Sequence, residues 1–133
     1  MSSASFTPAL SAITLLVADL DTSQDFYSRA FELEPSWSDE KSVSFTLGSI
    51  VLNLLVNSEG PRLVTPVAPA EPSAGPRNQL SIWVDDIDTA VEVLRERGVA
   101  FDTDPADKPW GMRVATFHDP DRHSWEIGQD LGD

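Results

Sequence analysis

The stretch ITLLVADLDTSQDFY, from Ile13 to Tyr27, is echoed by LSIWVDDIDTAVEVL, from Leu80 to Leu94. In each copy an alternating apolar run predicts a β-strand, and an acidic residue before an amphipathic segment predicts a helix. Four residues are identical and keep their spacing: Val17, Asp19, Asp21 and Thr22 recur as Val84, Asp86, Asp88 and Thr89. The chain is therefore predicted to be a duplicated unit whose two copies complete each other's buried surface.

Both copies continue with further strands. We expect Asp21 and Asp88 to cap the two helices and Gly98 to end the second one. Strands are predicted at residues 43–47, at 50–56 and near Trp37 in the first half, and from Phe101, at 114–117 and at 124–128 in the second, with a loop at 105–111. The segment 57–78 holds five of the ten prolines, which is typical of a linker. One domain, 1–133, thus divides into a first module at 10–56, the Pro-rich linker at 57–78 and a second module at 79–129.

Composition limits the classes of function open to the chain. Hydrophobic residues make up 41% of it, enough for a folded core. The net charge of −13 disfavours binding to nucleic acid or to an anionic membrane surface, and no apolar run is long enough to span a bilayer. The segment MSSASFTPAL lacks the pattern of a secretion signal and there is no cysteine, so we expect a cytoplasmic protein. The acidic charge either serves solubility or attracts a cationic ligand.

Three segments together resemble a known family. VADLDTSQDFY, VDDIDTAVEVLRERGV and PWGMRVATFHDPDRHSWEI are similar to the vicinal oxygen chelate superfamily, which contains glyoxalase I, extradiol dioxygenases, fosfomycin-modifying enzymes and bleomycin-resistance proteins. The resemblance covers about residues 10–129. It implies an α+β fold in which two βαβββ modules form an open, cup-shaped mixed sheet, commonly assembled as a homodimer.

The resemblance also implies where a metal would bind. Metalloenzymes of the family use one position on the first strand and one on the last strand of each module, usually His, Gln or Glu. On this sequence those positions fall on Ala12, Asn53, Gln79 and Glu126. Alanine has no ligand atom, and only Glu126 is a strong ligand for a divalent ion. We therefore predict no metal cofactor, with a weakly held divalent metal as the alternative.

The two histidines of the chain, His118 and His123, flank the turn DPD. We expect both to be solvated at a loop end, away from the cup. Glu126 is open to two interpretations: a general base, if burial raises its pKa, or a strand carboxylate paired with Arg113 or Arg122. Nothing in the sequence separates them.

Strand alternation indicates which side chains face the cup. If Gln79 points inward, Ser81 and Trp83 do as well, while Leu80, Ile82 and Val84 pack under the helix. Trp125 should face the core, opposite to Glu126. The segment PWG at 109–111 looks like the part that bleomycin-resistance proteins carry beside their ligand groove. The candidate ligand-binding residues are Trp37, Asn53, Gln79, Trp83, Trp110, Met112 and Glu126.

Three functions fit these features. The first is a metal-independent protein that sequesters an aromatic or cationic small molecule in an aromatic-lined groove, as the antibiotic-resistance members of the family do. The alternative is a glyoxalase-like lyase or isomerase, or a dioxygenase, that uses a weak divalent metal site or Glu126 as general base. The third is a module whose groove binds another protein.

Overall fold

Each half of the chain folds into one βαβββ module. The computed structural model describes residues 6–132, so the first five residues of the segment read for a secretion signal lie outside the described residues. The elements are β1 (Ala12–Val17), α1 (Leu20–Phe31), β2 (Trp37–Ser38), β3 (Ser42–Leu47), β4 (Ile50–Val56), α2 (Gly60–Val64), β5 (Gln79–Trp83), α3 (Ile87–Glu96), β6 (Phe101–Asp107), β7 (Met112–His118) and β8 (Ser124–Asp130). The predicted α+β fold of two βαβββ modules is confirmed.

The two modules build two four-stranded mixed sheets with the same topology. The strand orders are β1-β4-β3-β2 and β5-β8-β7-β6, with β1 parallel to β4, β5 parallel to β8 and the other neighbours antiparallel. The registers also correspond. Asn53 stands between Thr14 and Ser44 in the first sheet, and Glu126 stands between Ser81 and Thr116 in the second. Position for position, Asn53 and Glu126 are equivalent.

Both modules contribute to one hydrophobic core. Tyr27 of α1 contacts Phe45 of the first sheet and Trp125 of the second, with ring centroids 6.4 and 5.9 Å apart. Trp125 is 2% exposed, which confirms its predicted place in the core. The alternate residues of β5, predicted to lie under the helix, pack against the same core: Leu80, Ile82 and Val84. Each sheet therefore has one buried face and one open face.

The helix caps differ from the prediction by two residues. Asp19 and Asp86, not Asp21 and Asp88, are the N-caps, and their carboxylates accept hydrogen bonds from the N–H groups of Thr22 and Thr89 at 3.0 and 3.1 Å. Asp19 and Asp86 keep an extended backbone, so each helix starts directly after them. Asp21 and Asp88 lie in the first turn, where a negative charge favours the helix dipole. Gly98 follows α3 with φ +91°, as predicted for a helix end.

Two irregular regions depart from the sequence expectation. Strand β6 runs on to Asp107 through part of the predicted loop, because it is an edge strand and Pro105 needs no ladder partner for its nitrogen. The segment 57–78 is a linker that includes the short helix α2 and two 3₁₀ turns, Asn57–Glu59 and Pro72–Ala74. Within the described residues, none of the helices has the length and apolar character that a bilayer crossing demands.

Candidate functional site

The open faces of the two sheets carry the side chains predicted to line the cup. Because β-strand side chains alternate, Asn53 shares the open face of the first sheet with Ala12, while Glu126 shares that of the second sheet with Gln79 and Trp83. Within one chain the candidate residues are therefore divided between two surfaces. The first holds Ala12, Trp37 and Asn53, and the second holds Gln79, Trp83, Met112 and Glu126, with Trp110 in the turn before β7.

Hydrogen bonds hold the polar side chains of the first open face to one another. The hydroxyl of Ser44 donates to Asn53 Oδ1 at 2.6 Å, and Asn53 Nδ2 donates to Thr14 Oγ1 at 3.3 Å. Trp37 lies opposite Ser44 on the edge strand and is 55% exposed. The amide of Asn53 is thus engaged within the sheet.

The second open face repeats this arrangement around a carboxylate. The hydroxyl of Ser81 donates to Glu126 Oε1 at 2.9 Å, and Gln79 Nε2 donates to Ser124 Oγ at 3.1 Å. Arg113 forms ion pairs with Asp88 and Asp107, so the proposed pair between Glu126 and Arg113 is wrong. Among residues 6–132, no ion pair joins Glu126 to Arg122 either.

Two tryptophans and a methionine meet at one end of the second open face. They line a surface cavity of about 450 Å³ that we call the tryptophan groove; its residues are Trp83, Val84, Asp85, Trp110, Met112 and Asp130. Trp83 is 64% exposed and Trp110 is 69% exposed, which is unusual for the largest apolar side chains. Both therefore present indole surface that none of residues 6–132 covers.

Gly128 determines where the indole of Trp83 lies. A Cβ atom built on Gly128 would come within 2.4 Å of Trp83 Cζ3 and 3.2 Å of Met112 Cε. Only a residue without a side chain lets the indole rest on strand β8 at this point. The orientation of the Trp83 indole thus depends on the absence of a side chain at Gly128 of β8.

The tryptophan groove also carries negative charge. Asp85 follows β5 and Asp130 ends β8, and both line the groove beside the indoles. The sequence predicted the aromatic residues but missed these two carboxylates. The parallel pairing of β5 with β8 would have predicted that they lie close together, because residues at the carboxyl ends of parallel neighbours meet at the same edge of the sheet.

The four family metal positions offer one carboxylate, two side-chain amides and no imidazole. Ala12 has no donor atom, Asn53 and Gln79 donate their amide N–H groups to neighbouring hydroxyls, and one oxygen of Glu126 accepts a hydrogen bond from Ser81. Two of the positions lie on each sheet. Within residues 6–132 there is also no cluster of three or more His, Asp or Glu side chains arranged to hold a metal.

Both histidines pair with carboxylates. His118 is exposed, as expected, whereas the side chain of His123 is only 22% exposed, so the expectation of a solvated histidine is wrong for His123. His118 is the last residue of β7, and its Nδ1 lies 2.9 Å from an oxygen of Asp102 on β6. His123 Nδ1 lies 2.8 Å from Asp119 Oδ2. Strand pairing and turn geometry bring these groups together, and neither is visible in the spacing of the sequence.

Asp119 is the centre of a buried polar network. It is 1% exposed and accepts a hydrogen bond of 2.6 Å from the hydroxyl of Tyr27, which in turn accepts one of 3.0 Å from Trp125 Nε1. Burial, reinforced by the charge of Asp119, raises the pKa of Tyr27 above its ordinary value. Burial opposes the ionisation of Asp119, but hydrogen bonds from His123 and Tyr27 outweigh it and lower the pKa of Asp119. The network links the DPD turn to α1, so the contact between Asp119 and Tyr27 has a structural role.

The fold, with its two mixed four-stranded sheets, is that of a known superfamily. The model of the Glyoxalase/Bleomycin resistance protein/Dioxygenase superfamily matches residues 9–127, and the chain belongs to this superfamily.

Three known proteins illustrate the relationship. The chain is 33% identical over 119 residues to the uncharacterized protein YraH of Bacillus subtilis (strain 168), a match that covers 86% of this chain and 93% of that protein. A solved structure of a glyoxalase/bleomycin resistance protein/dioxygenase from Nocardioides is 30% identical with a TM-score of 0.83, covering 96% of this chain and 87% of that one. TnmS3, an antibiotic binding protein from Streptomyces sp. CB03234, shares the fold at 22% identity and a TM-score of 0.69, covering 93% and 97%.

Proposed function

We propose that this protein is a metal-independent small-molecule-binding protein that sequesters an aromatic or cationic ligand in the tryptophan groove. One observation carries the proposal: Trp83 and Trp110, both mostly exposed, line the same cavity with Met112. Exposed tryptophans on a protein surface mark binding sites more often than other side chains do.

The chemistry of the groove favours a flat ligand that carries positive charge. The face of an indole stacks against aromatic rings and attracts cations. Asp85 and Asp130 add two carboxylates beside those faces. The net charge of −13 adds long-range attraction for a cation. Bleomycin resistance proteins give the superfamily part of its name, and TnmS3 is a binding protein of the same fold.

We also propose that the protein acts as a homodimer. Each sheet leaves one face open, and Trp37 and Asn53 lie on the first sheet while the tryptophan groove lies on the second. A second copy that brings its first open face to the second open face would place all the candidate residues around one cup. The lack of cysteine is compatible with a cytoplasmic location, which stays a prediction.

An enzyme is the second candidate, and one observation favours it. Glu126 is half-buried on the open face, and one of its two carboxylate oxygens accepts a bond from Ser81. The other oxygen has no bond within the described residues, so it is free to accept a proton from a substrate held in the cup. A lyase or isomerase that uses Glu126 as general base would depend on this oxygen.

The binding of proflavine, a flat aromatic cation, tests the proposal. We expect saturable quenching of tryptophan fluorescence, with binding weakened by about 1–3 kcal/mol in Trp83→Ala and in Trp110→Ala. Trp83→Phe keeps an aromatic face and serves as the matched control, with a smaller loss. Unchanged affinity in both alanine variants would refute the groove assignment.

Two further measurements separate the binder from the enzyme. Glu126→Gln keeps the shape of the side chain and its bond to Ser81, so ligand binding in the tryptophan groove should change little, whereas base catalysis would be abolished. A thermal-shift titration with Mn²⁺, Fe²⁺, Co²⁺, Ni²⁺ and Zn²⁺ should show no stabilisation. A large stabilisation by one ion, lost in Glu126→Ala, would instead favour the metal-dependent enzyme.

A further inference from the structure

A second cavity lies at the edge of the first open face, between the Pro-rich linker and the DPD turn. It measures about 590 Å³ and we call it the linker cavity; its walls come from β1 (Thr14 and Leu16), from the linker (Pro61, Pro69 and Arg77 among others) and from the turn (Asp121, Arg122 and His123). It shares no lining residue with the tryptophan groove. We propose that the linker cavity binds an organic anion, a carboxylate or phosphate on an apolar body, through Arg77 and Arg122.

The distribution of ion pairs singles out these two arginines. The chain has nine lysines and arginines, and six of them pair with a carboxylate within 4.0 Å: Arg29, Lys41, Arg62, Arg95, Arg97 and Arg113. In a protein with 22 acidic residues, a basic side chain without such a partner is the exception. Among residues 6–132 only Arg77, Lys108 and Arg122 have none, and two of these three line the linker cavity.

The backbone of Arg122 supplies an independent observation. Its φ is +70°, in the left-handed region where glycine or asparagine is favoured and a longer side chain is strained. The turn geometry therefore does not by itself explain an arginine at this position. Backbone strain of this kind clusters at functional sites, and guanidinium groups are well suited to bind carboxylate or phosphate oxygens.

The remaining walls fit an apolar body on the ligand. Leu16, Pro61 and Pro69 line the cavity, and a Cβ atom on Gly60 would lie 2.9 Å from a Leu16 methyl carbon and 3.1 Å from the Pro69 ring. The linker thus packs closely on β1 at Gly60 and forms a wall there.

Two carboxylates also line the linker cavity, and one of them already accepts hydrogen bonds from other residues. Asp121 accepts bonds from the N–H of Ala18 at 2.9 Å and from the hydroxyl of Ser23 at 3.1 Å, so both of its oxygens serve to hold the start of α1. Glu71 lies on the exposed linker. Among residues 6–132 neither Asp121 nor Glu71 forms an ion pair with Arg77 or Arg122, so both guanidinium groups remain available to an anion.

Binding of benzoate and of phenyl phosphate tests the proposal, measured by NMR or calorimetry at constant ionic strength. We expect saturable binding of at least one of them, and the stronger of the two identifies the anionic group. Arg77→Gln and Arg122→Gln should each weaken binding about ten-fold. Lys108→Gln removes the third unpaired charge outside the cavity and should leave affinity within about two-fold, which controls for net charge.

Arg122→Gly keeps the proposal testable if another variant folds poorly. Glycine relieves the strain at φ +70°, so the melting temperature should stay equal or rise while anion binding weakens as much as in Arg122→Gln. Trp83→Ala should leave anion binding unchanged, which separates this site from the tryptophan groove. The proposal is overturned if the unaltered protein binds neither probe saturably, if Lys108→Gln weakens binding as much as the arginine variants do, or if Arg122→Gly binds normally.

Discussion

Replacing Tyr27 with phenylalanine should destabilise the protein through hydrogen bonding alone. The aromatic ring stays in the core, where Tyr27 is fully buried between the two sheets. The change removes only the hydroxyl, which donates to Asp119 at 2.6 Å and accepts from Trp125 Nε1 at 3.0 Å. Both modules meet at this atom, so its loss weakens the contact between them.

The expected loss follows from the partners that remain. Asp119 keeps its bonds from His123 Nδ1 and from the N–H groups of Asp121 and His123, so it loses one charge-assisted bond of about 1.5–3 kcal/mol. Trp125 Nε1 loses its only described partner in a site that is 2% exposed, which adds roughly 1–3 kcal/mol. Relaxation of the site offsets part of this sum, and we expect a loss of about 2–4 kcal/mol in the free energy of unfolding.

Urea unfolding at neutral pH, followed by circular dichroism, measures this loss. Ser81→Ala is the matched control, because it removes a hydroxyl bond to Glu126 on the exposed face and should cost less than about 0.5 kcal/mol. A loss below about 1 kcal/mol in Tyr27→Phe would refute the reasoning, since it would mean that Asp119 and Trp125 find equivalent partners.

Two further predictions concern acid stability and the tryptophan groove. The pKa of Asp119 is lowered in the folded protein, so its contribution to stability is complete above its ordinary value of 3.8 and is lost as the pH falls through the lower folded pKa. Urea unfolding at descending pH should show this loss in the unaltered protein and not in Asp119→Asn; equal pH dependence in both would contradict it. Gly128→Ala should displace the Trp83 indole, shift the tryptophan fluorescence and weaken proflavine binding, because the new Cβ would lie 2.4 Å from the ring. In a Trp83→Ala background the same change should have no further effect on binding, and an additive loss would argue against this mechanism.

Local patterns in the chain predicted much of the fold. The two copies of the repeated phrase became β1–α1 and β5–α3, and alternation along β5 and β8 separated Trp83 on the open face from Trp125 in the core. Such predictions work because side-chain direction in a strand depends only on the backbone period of two. The caps were misjudged by two residues, since several acidic residues stand near each helix start and only the backbone conformation decides which one caps.

The candidate site was predictable in its residue types and less so in its arrangement. The exposed indoles of Trp83 and Trp110 followed from strand alternation and from the PWG segment. The carboxylates of Asp85 and Asp130 were missed, because they reach the tryptophan groove only through the parallel pairing of β5 with β8.

By itself the sequence determined the duplication, the α+β class and the superfamily resemblance, because each depends on residue identity and short spacing. Tertiary structure alone decided which distant groups meet. Asp119 lies 92 residues from Tyr27 yet receives its hydroxyl bond, and Arg77 and Arg122 line one cavity although 45 residues separate them. Such encounters depend on how the two modules pack and on where the linker runs, and no local period in the chain encodes them.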